Sequence, residues 1–424
     1  MDNPNSQVTE SILETPVKDF DTMRKMRAEP LLVSSRTAQV GWHVFVDNVR
    51  FWSMLAIIAI HATGAFDLVN APSSWKDALK VPLKFGTVGF FLISGFLLGE
   101  RLQTSRRTHY FGRRVKKVFL PWLIWVTVFI TYTISLDLLH HRFVLSLHNL
   151  LPVLFGRLRD CLLSTSFWFV PNLLLALLVL LALRRYLYDI RLGLVLLAVH
   201  LFYVVNIYRL WIPSSHLEAL FGFVFDLWLG SFASKHIVKM TQWISEISLN
   251  TMVALTLVSL TMAYAETLLL VHLHSVDPSN TLRFTNQIYS IMVVLFLMKI
   301  PTASWPRFVN VRRDTFGLYL THSIVMDLCC KACRRIPPFL TARLHMNQGE
   351  EGVFLWILVL VLTYTGSLLI TRVLASSPET QWLVGAEFPV PTPRHFPRFL
   401  QLGRFSSLTL RKARTFMTVR SDER

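Results

Sequence analysis

Residues 352–374 read GVFLWILVLVLTYTGSLLITRVL, and the first twenty of them include no Asp, Glu, Lys or Arg. About 20 consecutive apolar residues are what an α-helix needs to cross the hydrocarbon core of a bilayer. Similar runs recur along the chain, and they predict ten spans, near residues 44–66, 82–100, 117–138, 166–183, 190–207, 216–234, 243–270, 285–301, 315–331 and 352–374. The predicted fold class is all-α, a polytopic helical bundle in a membrane.

The composition of the 424-residue chain agrees with this fold class. Hydrophobic residues make up 53% of the chain, charged residues 16%, and the mean hydropathy is +0.45. A soluble domain carries about 25% charged residues. We predict a polar tail over residues 1–42, a single transmembrane domain over 43–375 and a basic tail over 376–424.

The distribution of Lys and Arg predicts the orientation of the bundle. Of the 41 Lys and Arg residues outside the spans, 30 fall in segments on the same side as the amino terminus. Positively charged loops are retained in the cytoplasm. We therefore expect both termini to be cytoplasmic and the first span to double as the targeting signal, since residues 1–40 include no apolar signal core.

The net charge of +17 is explained by the same distribution. Basic loops attract the anionic inner leaflet, so membrane lipids are expected partners and nucleic acid is not. The four cysteines, Cys161, Cys329, Cys330 and Cys333, are too few for a disulfide scaffold. We expect them to be small packing residues, and we expect no bound metal.

Ionisable residues at membrane depth are costly, so each indicates a functional site. His61 lies eleven residues after Arg50, roughly 16 Å along a helix, and His322 lies nine residues after Arg313, roughly 14 Å. These similar depths predict that the two imidazoles share a polar cavity. Asp226 is a mid-span carboxylate that could either orient an imidazole or pair structurally with a polar group of another span.

A second group of residues is basic. Residues 101–117 contain seven Lys or Arg and no acidic residue, which retention in the cytoplasm would explain. Four of the seven cluster at the start of span three, beside the Arg50 entry of span one: Arg113, Arg114, Lys116 and Lys117. Such a cluster could bind a polyanion, for example the phosphates of a nucleotide-like molecule.

Five stretches resemble, in order, motifs of the acyltransferase type 3 family of membrane O-acyltransferases. They are Val46-Asp47-Asn48-Val49-Arg50 followed after ten residues by His61; Phe90-Phe91-Leu92-Ile93-Ser94-Gly95-Phe96; Arg113-Arg114 with Lys117 and Pro121; Trp168-Phe169; and Thr315, Gly317, Tyr319, Leu320 and His322. The departures are Val at positions 46 and 49 where Leu is usual, and Lys at 117 where Arg is common. Five motifs in the family's order are a specific match.

The resemblance implies transfer of an acyl group, most often acetyl, from cytoplasmic acyl-CoA to a hydroxyl of a glycan, glycolipid or similar acceptor. The chain also resembles the glycan O-acetyltransferases of bacteria, and this resemblance implies that the protein lies in the cell (inner) membrane. The implied catalytic residues are His61 and His322, with Asp226 a further candidate, and the implied residues of the acyl-CoA site are Arg50, Asp47, Arg113, Arg114 and Lys117. Ser94, Tyr319 and Trp168 would line the cavity.

Two other functions fit parts of the sequence. A transporter or exporter would use His61, His322 and Asp226 as a proton relay. The chain shows no internal repeat and no matched pair of broken spans, which weakens that interpretation. A receptor without catalysis would tolerate substitution of His61. Whether His61 acts as a base or carries the acyl group itself stays open at this point.

Overall fold

The computed structural model describes residues 44–102, 107–141, 150–216, 219–300, 302–334, 336 and 345–386, without the side chains of residues 100–110 and 113. Helices account for 81% of the structure, and the described ranges contain no strand. This confirms the all-α fold class. The predicted tail over residues 1–42 and most of the predicted tail over 376–424 lie outside the described residues.

The described helices are numbered along the chain. They are α1 (44–62), α2 (Ser73–Leu83), α3 (Phe85–Leu102), α4 (Arg107–Leu139), α5 (Leu150–Ser164), α6 (Phe169–Ala182), α7 (Ile190–Arg209), α8 (Val224–Lys235), α9 (Ile237–Glu246), α10 (Leu249–His272), α11 (Phe284–Lys299), α12 (Val311–Cys333) and α13 (Gln348–Ser376). Short 3₁₀ helices follow α1 (Thr63–Leu68), precede α6 (Ser166–Trp168), follow α6 (Arg184–Tyr186) and follow α13 (Gln381–Val384).

Six helical stretches in the described ranges are long and apolar enough to cross a membrane. They are Val44–Leu68, Ser73–Gly99, Arg114–Leu139, Ile190–Arg209, Leu249–His272 and Gln348–Ser376. A seventh span is reached if α5 and α6 count together, but they meet at an angle of 86°. Ten spans with cytoplasmic termini therefore stay a prediction. Three of the predicted spans fall on elements that are short or polar: α8 has 12 residues, α11 has 16, and α12 buries many polar side chains.

Between the third and fourth predicted spans, the described residues include further helix. Helix α4 continues to Leu139, and α5 occupies Leu150–Ser164. Arg157 of α5 forms an ion pair with the buried carboxylate of Asp137 on α4. An ion pair thus joins the two helices. A prediction based only on apolar runs cannot identify such a contact.

Glycines bring α3 and α8 into close contact. A Cβ placed on Gly95 would lie 1.9 Å from the Leu227 carbonyl oxygen, and one on Gly230 would lie 1.9 Å from the Leu92 carbonyl oxygen. The Ser231 hydroxyl donates a hydrogen bond of 2.8 Å to the Gly95 carbonyl. Small residues at such spacing are typical of membrane helices whose backbones touch. This crossing holds α3 against the middle of the bundle.

Contacts join some of the segments that were predicted to share a side of the membrane. At one end, Asp47 pairs with Arg312 at 2.8 Å and Asp314 pairs with Arg372 at 3.2 Å. At the other end, Asn280 donates to the Ser214 carbonyl at 2.9 Å. Which end faces the cytoplasm stays a prediction.

Two further features concern the ends of the predicted domains. Residues that follow α13 still pack on the bundle, because Trp125 of α4 donates a hydrogen bond of 3.0 Å to the Leu383 carbonyl and Val384 is buried. Residues 383 and 384 are thus in contact with the helices of the bundle. The four cysteines are free thiols that pack in a single apolar cluster with side chains of α1, α4 and α13.

Candidate functional site

His61 lies where α1 passes into a tighter 3₁₀ helix. The change frees backbone carbonyls, and the indole of Trp356 on α13 donates a hydrogen bond of 2.9 Å to the Ala59 carbonyl. The Thr63 hydroxyl donates to the Ile60 carbonyl at 2.6 Å. The His61 ring is partly exposed to a cavity, and no described residue forms a hydrogen bond with it. Its nitrogens are available to a substrate.

His322 lies directly beside His61. The two ring centroids are 5.6 Å apart, although 260 residues separate the positions in the chain. His322 is fully buried on α12, whose small residue Gly317 lets α13 approach so closely that a Cβ there would lie 2.3 Å from a methyl of Thr371. The structure thus brings together the two imidazoles that the sequence placed at similar depth.

The hydrogen bonds of His322 define its tautomer. Its Nδ1 faces the Tyr319 carbonyl at 2.7 Å and the Leu318 carbonyl at 3.2 Å. A carbonyl oxygen only accepts, so Nδ1 carries the proton and Nε2 of the neutral ring is an acceptor. The Ser166 hydroxyl lies 3.1 Å from this Nε2 and donates to it. His322 is therefore arranged as a base toward Ser166.

Ser166 lies in the break between α5 and α6. Two side chains satisfy carbonyls that the break exposes: the Tyr319 hydroxyl donates to Ser166 at 3.0 Å, and the Trp122 indole donates to Phe167 at 2.9 Å. Thr165 caps the 3₁₀ helix by accepting from the Phe167 amide at 3.2 Å. Irregular backbone at membrane depth persists where protein side chains satisfy it in this way.

The cavity at this break has a volume of about 90 Å³. Its lining is formed by Ile57, Ile60, His61, Lys84, Thr87, Ser166, Trp168, Phe169, His216, Thr281 and Tyr319. The His216 ring stacks on the Trp168 indole with centroids 4.4 Å apart, and its Nε2 lies 3.0 Å from the Thr281 hydroxyl. Apolar walls with a few convergent polar groups are typical of a small-molecule site.

A basic cluster lies at the amino-terminal end of α1. Asp47 accepts from Arg50 at 3.1 Å and from Arg312 at 2.8 Å, so its carboxylate holds both guanidinium groups. Arg312 is exposed, and Arg114 of α4 is partly buried nearby. A helix rises about 1.5 Å per residue, so the eleven residues from Arg50 to His61 separate this cluster from the imidazoles by roughly 16 Å.

A family model described as an acyltransferase domain, the acyltransferase type 3 model, matches residues 43–372. The chain belongs to the acyltransferase type 3 family. It is therefore an integral membrane protein and an acyltransferase that transfers groups other than aminoacyl groups. Neither the curated proteins nor the solved structures contain a match to the chain.

The family motifs have different roles in this structure. His61, His322, Tyr319 and Trp168 meet at or beside the cavity. Ser94 does not line it: it lines a second, smaller cavity of about 20 Å³ that also contains Arg114. The adjacent Gly95 provides the contact with α8. The second motif thus serves helix packing at Gly95, while Ser94 lines the same small cavity as Arg114.

Asp226 is not brought to the imidazole pair. Its carboxyl group is completely buried on α8, and neither oxygen has a hydrogen-bond partner among the described residues. It is absent from the cavity lining. The hypothesis that Asp226 orients an imidazole has no contact to support it. At His322, backbone carbonyls occupy the position where that carboxylate was expected.

The remaining predicted residues of the acyl-CoA site lie on α4. Arg113 falls within the helix, but its side chain is outside the described part, and Lys117 is exposed one turn further along. Glu266 and His200, outside this site, have structural contacts. Glu266 accepts from the Tyr208 hydroxyl and from the amides of residues 284 and 285, and His200 donates to the Gly222 carbonyl at 2.7 Å.

Five polar residues of the cavity and one of the basic cluster were not predicted from the sequence. They are Lys84, Thr87, Ser166, His216 and Thr281 in the cavity, and Arg312 in the cluster. Lys84 had a signal, since it is a lysine inside an apolar stretch. Arg312 also had one, since it immediately precedes Arg313 at the entry of α12. Ser166, the two threonines and His216 had none, because they reach the cavity through tertiary packing.

Proposed function

We propose that this protein moves an acetyl group from cytoplasmic acyl-CoA to a hydroxyl of a glycan, glycolipid or similar acceptor. The observation that carries the proposal is the pairing of His61 with His322 at an internal cavity. This pair lies roughly 16 Å along α1 from the basic cluster. An alcohol is a weak nucleophile at neutral pH, and a positioned imidazole can take its proton as it attacks the thioester. His61 has this role.

The basic cluster would hold the donor. Arg50, Arg114 and Arg312, together with Arg113 and Lys117 on the same helix as Arg114, would bind the phosphates of CoA. Asp47 keeps two of these guanidinium groups in place. Guanidinium groups suit phosphates because they can donate two parallel hydrogen bonds. The pantetheine arm would then follow α1 for roughly 16 Å, which places the thioester near His61.

Lys84 would stabilise the charge that develops during transfer. It lines the cavity together with His61. When an alcohol attacks a thioester, the carbonyl oxygen becomes negative. A fixed cation in a site of low dielectric constant stabilises that oxygen strongly. Thr87 and Thr281, in the same lining, can donate hydrogen bonds to an acceptor sugar.

The proposed setting is the cell (inner) membrane, with both termini in the cytoplasm and the acceptor reaching the cavity from the opposite end. A proton relay through His61, His322 and Asp226 fits less well, because the buried Asp226 carboxyl has no described contact with either imidazole.

The test uses purified protein in nanodiscs with [¹⁴C]acetyl-CoA and n-octyl β-D-glucoside as a hydroxyl acceptor. Radioactivity in the glucoside fraction and an equal release of CoA thiol are the expected result. Absence of both glucoside labelling and CoA release, with protein that remains folded, would contradict the proposal.

A further inference from the structure

We propose that Ser166 carries the acyl group as a covalent ester between the donor and the acceptor. The inference deepens the proposed function and rests on it. It assigns His322 to the acylation of Ser166 and His61 to the acceptor. The structure would then use the two adjacent imidazoles in two successive steps.

The geometry around Ser166 is that of an activated nucleophile. Its Oγ lies 3.1 Å from Nε2 of His322 and donates to it, because Nδ1 of that ring is committed to the Tyr319 carbonyl at 2.7 Å. A nucleophile, a base within hydrogen-bond distance and a third group that orients the base form the general arrangement of covalent catalysis. Here the orienting group is a backbone carbonyl on the same helix.

Ser166 is also held in place and accessible. The Tyr319 hydroxyl binds its carbonyl at 3.0 Å, and the Ser323 hydroxyl lies 3.2 Å from its Oγ. Although Ser166 is mostly buried, it lines the same cavity as His61 and Lys84. A thioester that reaches His61 therefore also reaches Ser166.

Both steps balance. In the first, Ser166 Oγ attacks the thioester carbonyl, the C–S bond breaks, and the serine proton passes through His322 Nε2 to the CoA thiolate. In the second, the acceptor oxygen attacks the ester carbonyl and loses its proton to His61. The bond from the acyl carbon to Ser166 Oγ breaks, and that oxygen regains a proton from the imidazole pair. The sum is acyl-CoA plus alcohol giving ester plus CoA.

The decisive experiment needs no acceptor. Protein in nanodiscs is incubated with acetyl-CoA and radiolabelled CoA, and transfer of label into acetyl-CoA is followed. A covalent intermediate catalyses this exchange, while direct transfer to an acceptor does not. We expect exchange with the wild type and a loss of at least about 10²-fold with Ser166→Ala. Ser290→Ala is the matched control, since Ser290 is a buried serine that bonds only the Asn286 carbonyl of its own helix.

Trapping identifies the acylated atom. His61→Gln should accumulate label from [¹⁴C]acetyl-CoA on the peptide that contains Ser166, because acylation proceeds and discharge does not. Ser166→Cys covers the case in which Ser166→Ala fails to fold, and its label should be a thioester that neutral hydroxylamine removes. Label that persists in Ser166→Ala and disappears in His61→Gln would show that His61 is the carrier, and would overturn the inference.

Failure of this inference differs from failure of the proposed function. If glucoside acetylation proceeds but Ser166→Ala is as active as the wild type, only the covalent step is wrong. If the folded wild type neither acetylates the glucoside nor releases CoA, the acetyl transfer itself is wrong.

Discussion

His61 and His322 are adjacent but chemically different. Both nitrogens of His322 are occupied, one by backbone carbonyls and one by Ser166, whereas the His61 ring has no described hydrogen-bond partner and faces the cavity. A group that must exchange protons with an arriving substrate needs a free nitrogen. The residue contacts therefore place His61 toward the substrate and His322 behind it.

Lys84 gives the first prediction at this scale. Lys84→Gln should lower kcat by about 10²–10³-fold with little change in the KM for acyl-CoA, because the ammonium would stabilise charge that appears only in the transition state. Steady-state kinetics on acetyl-CoA measure both constants. Lys80→Gln, one turn earlier and paired with Asp77, is the control and should leave both unchanged. A raised KM with unchanged kcat would assign Lys84 to substrate binding alone.

The basic cluster gives the second prediction. Arg113→Ala combined with Arg114→Ala should raise the KM for acyl-CoA more than it lowers kcat, because the phosphates keep their charge throughout transfer. The double variant Arg184→Ala with Arg185→Ala removes the same charge from another loop of the predicted cytoplasmic side and should not affect KM. If both double variants have the wild-type KM, the α4 arginines serve membrane topology only.

At the scale of elements, the contact between α3 and α8 depends on glycine. Gly95→Ala should destabilise the protein by at least about 1–3 kcal/mol, because the new methyl would overlap the Leu227 carbonyl and force the helices apart. Gly112→Ala on α4 is the matched control, since a Cβ there meets nothing within 4 Å. Melting temperatures of both variants test this. Equal melting temperatures would show that the two helices do not need this close approach.

Long apolar helices were predictable because a helix that crosses lipid must be about 20 residues long and apolar. In the structure this requirement is met by α1, α4, α7, α10 and α13. Helix α5, which precedes the break at Thr165, was not, because Arg157, Arg159 and Asp160 interrupt its apolar residues and the predicted spans leave residues 139–165 between them. What stabilises the break is distant in sequence: Trp122 and Tyr319 satisfy its carbonyls. Helix α12 differs, because its apolar character is weak and it was identified by its motif residues.

The residues of the site also fall into those that could be predicted from the sequence and those that could not. His61, His322 and Tyr319 were predictable because their spacing on single helices follows from residue numbers. Lys84 and His216 enter the cavity only through the packing of separate segments around it. Asp226 shows that a charged residue within a predicted span does not by itself identify a site residue, because a buried carboxyl need not lie near the imidazoles.

At the scale of the whole molecule, Arg50, Arg312 and Arg372 form ion pairs at one end of the bundle. We predict that this end is cytoplasmic. A cysteine introduced between α4 and α5, in residues 142–149, should react with a membrane-impermeant maleimide from outside the cell. A cysteine introduced near Arg307 should react only after permeabilisation, and the reverse pattern would invert the orientation.

The most direct test of the central claim is the turnover and melting temperature of His61→Gln, measured on one preparation. Gln keeps polarity and much of the volume of His but cannot act as a base near neutral pH. Acetyl transfer to octyl glucoside should fall by about 10²–10⁴-fold while the melting temperature stays close to that of the wild type. Transfer at a near wild-type rate would remove His61 from the mechanism. A loss of activity only in proportion to lost folded protein would show that His61 is a packing residue.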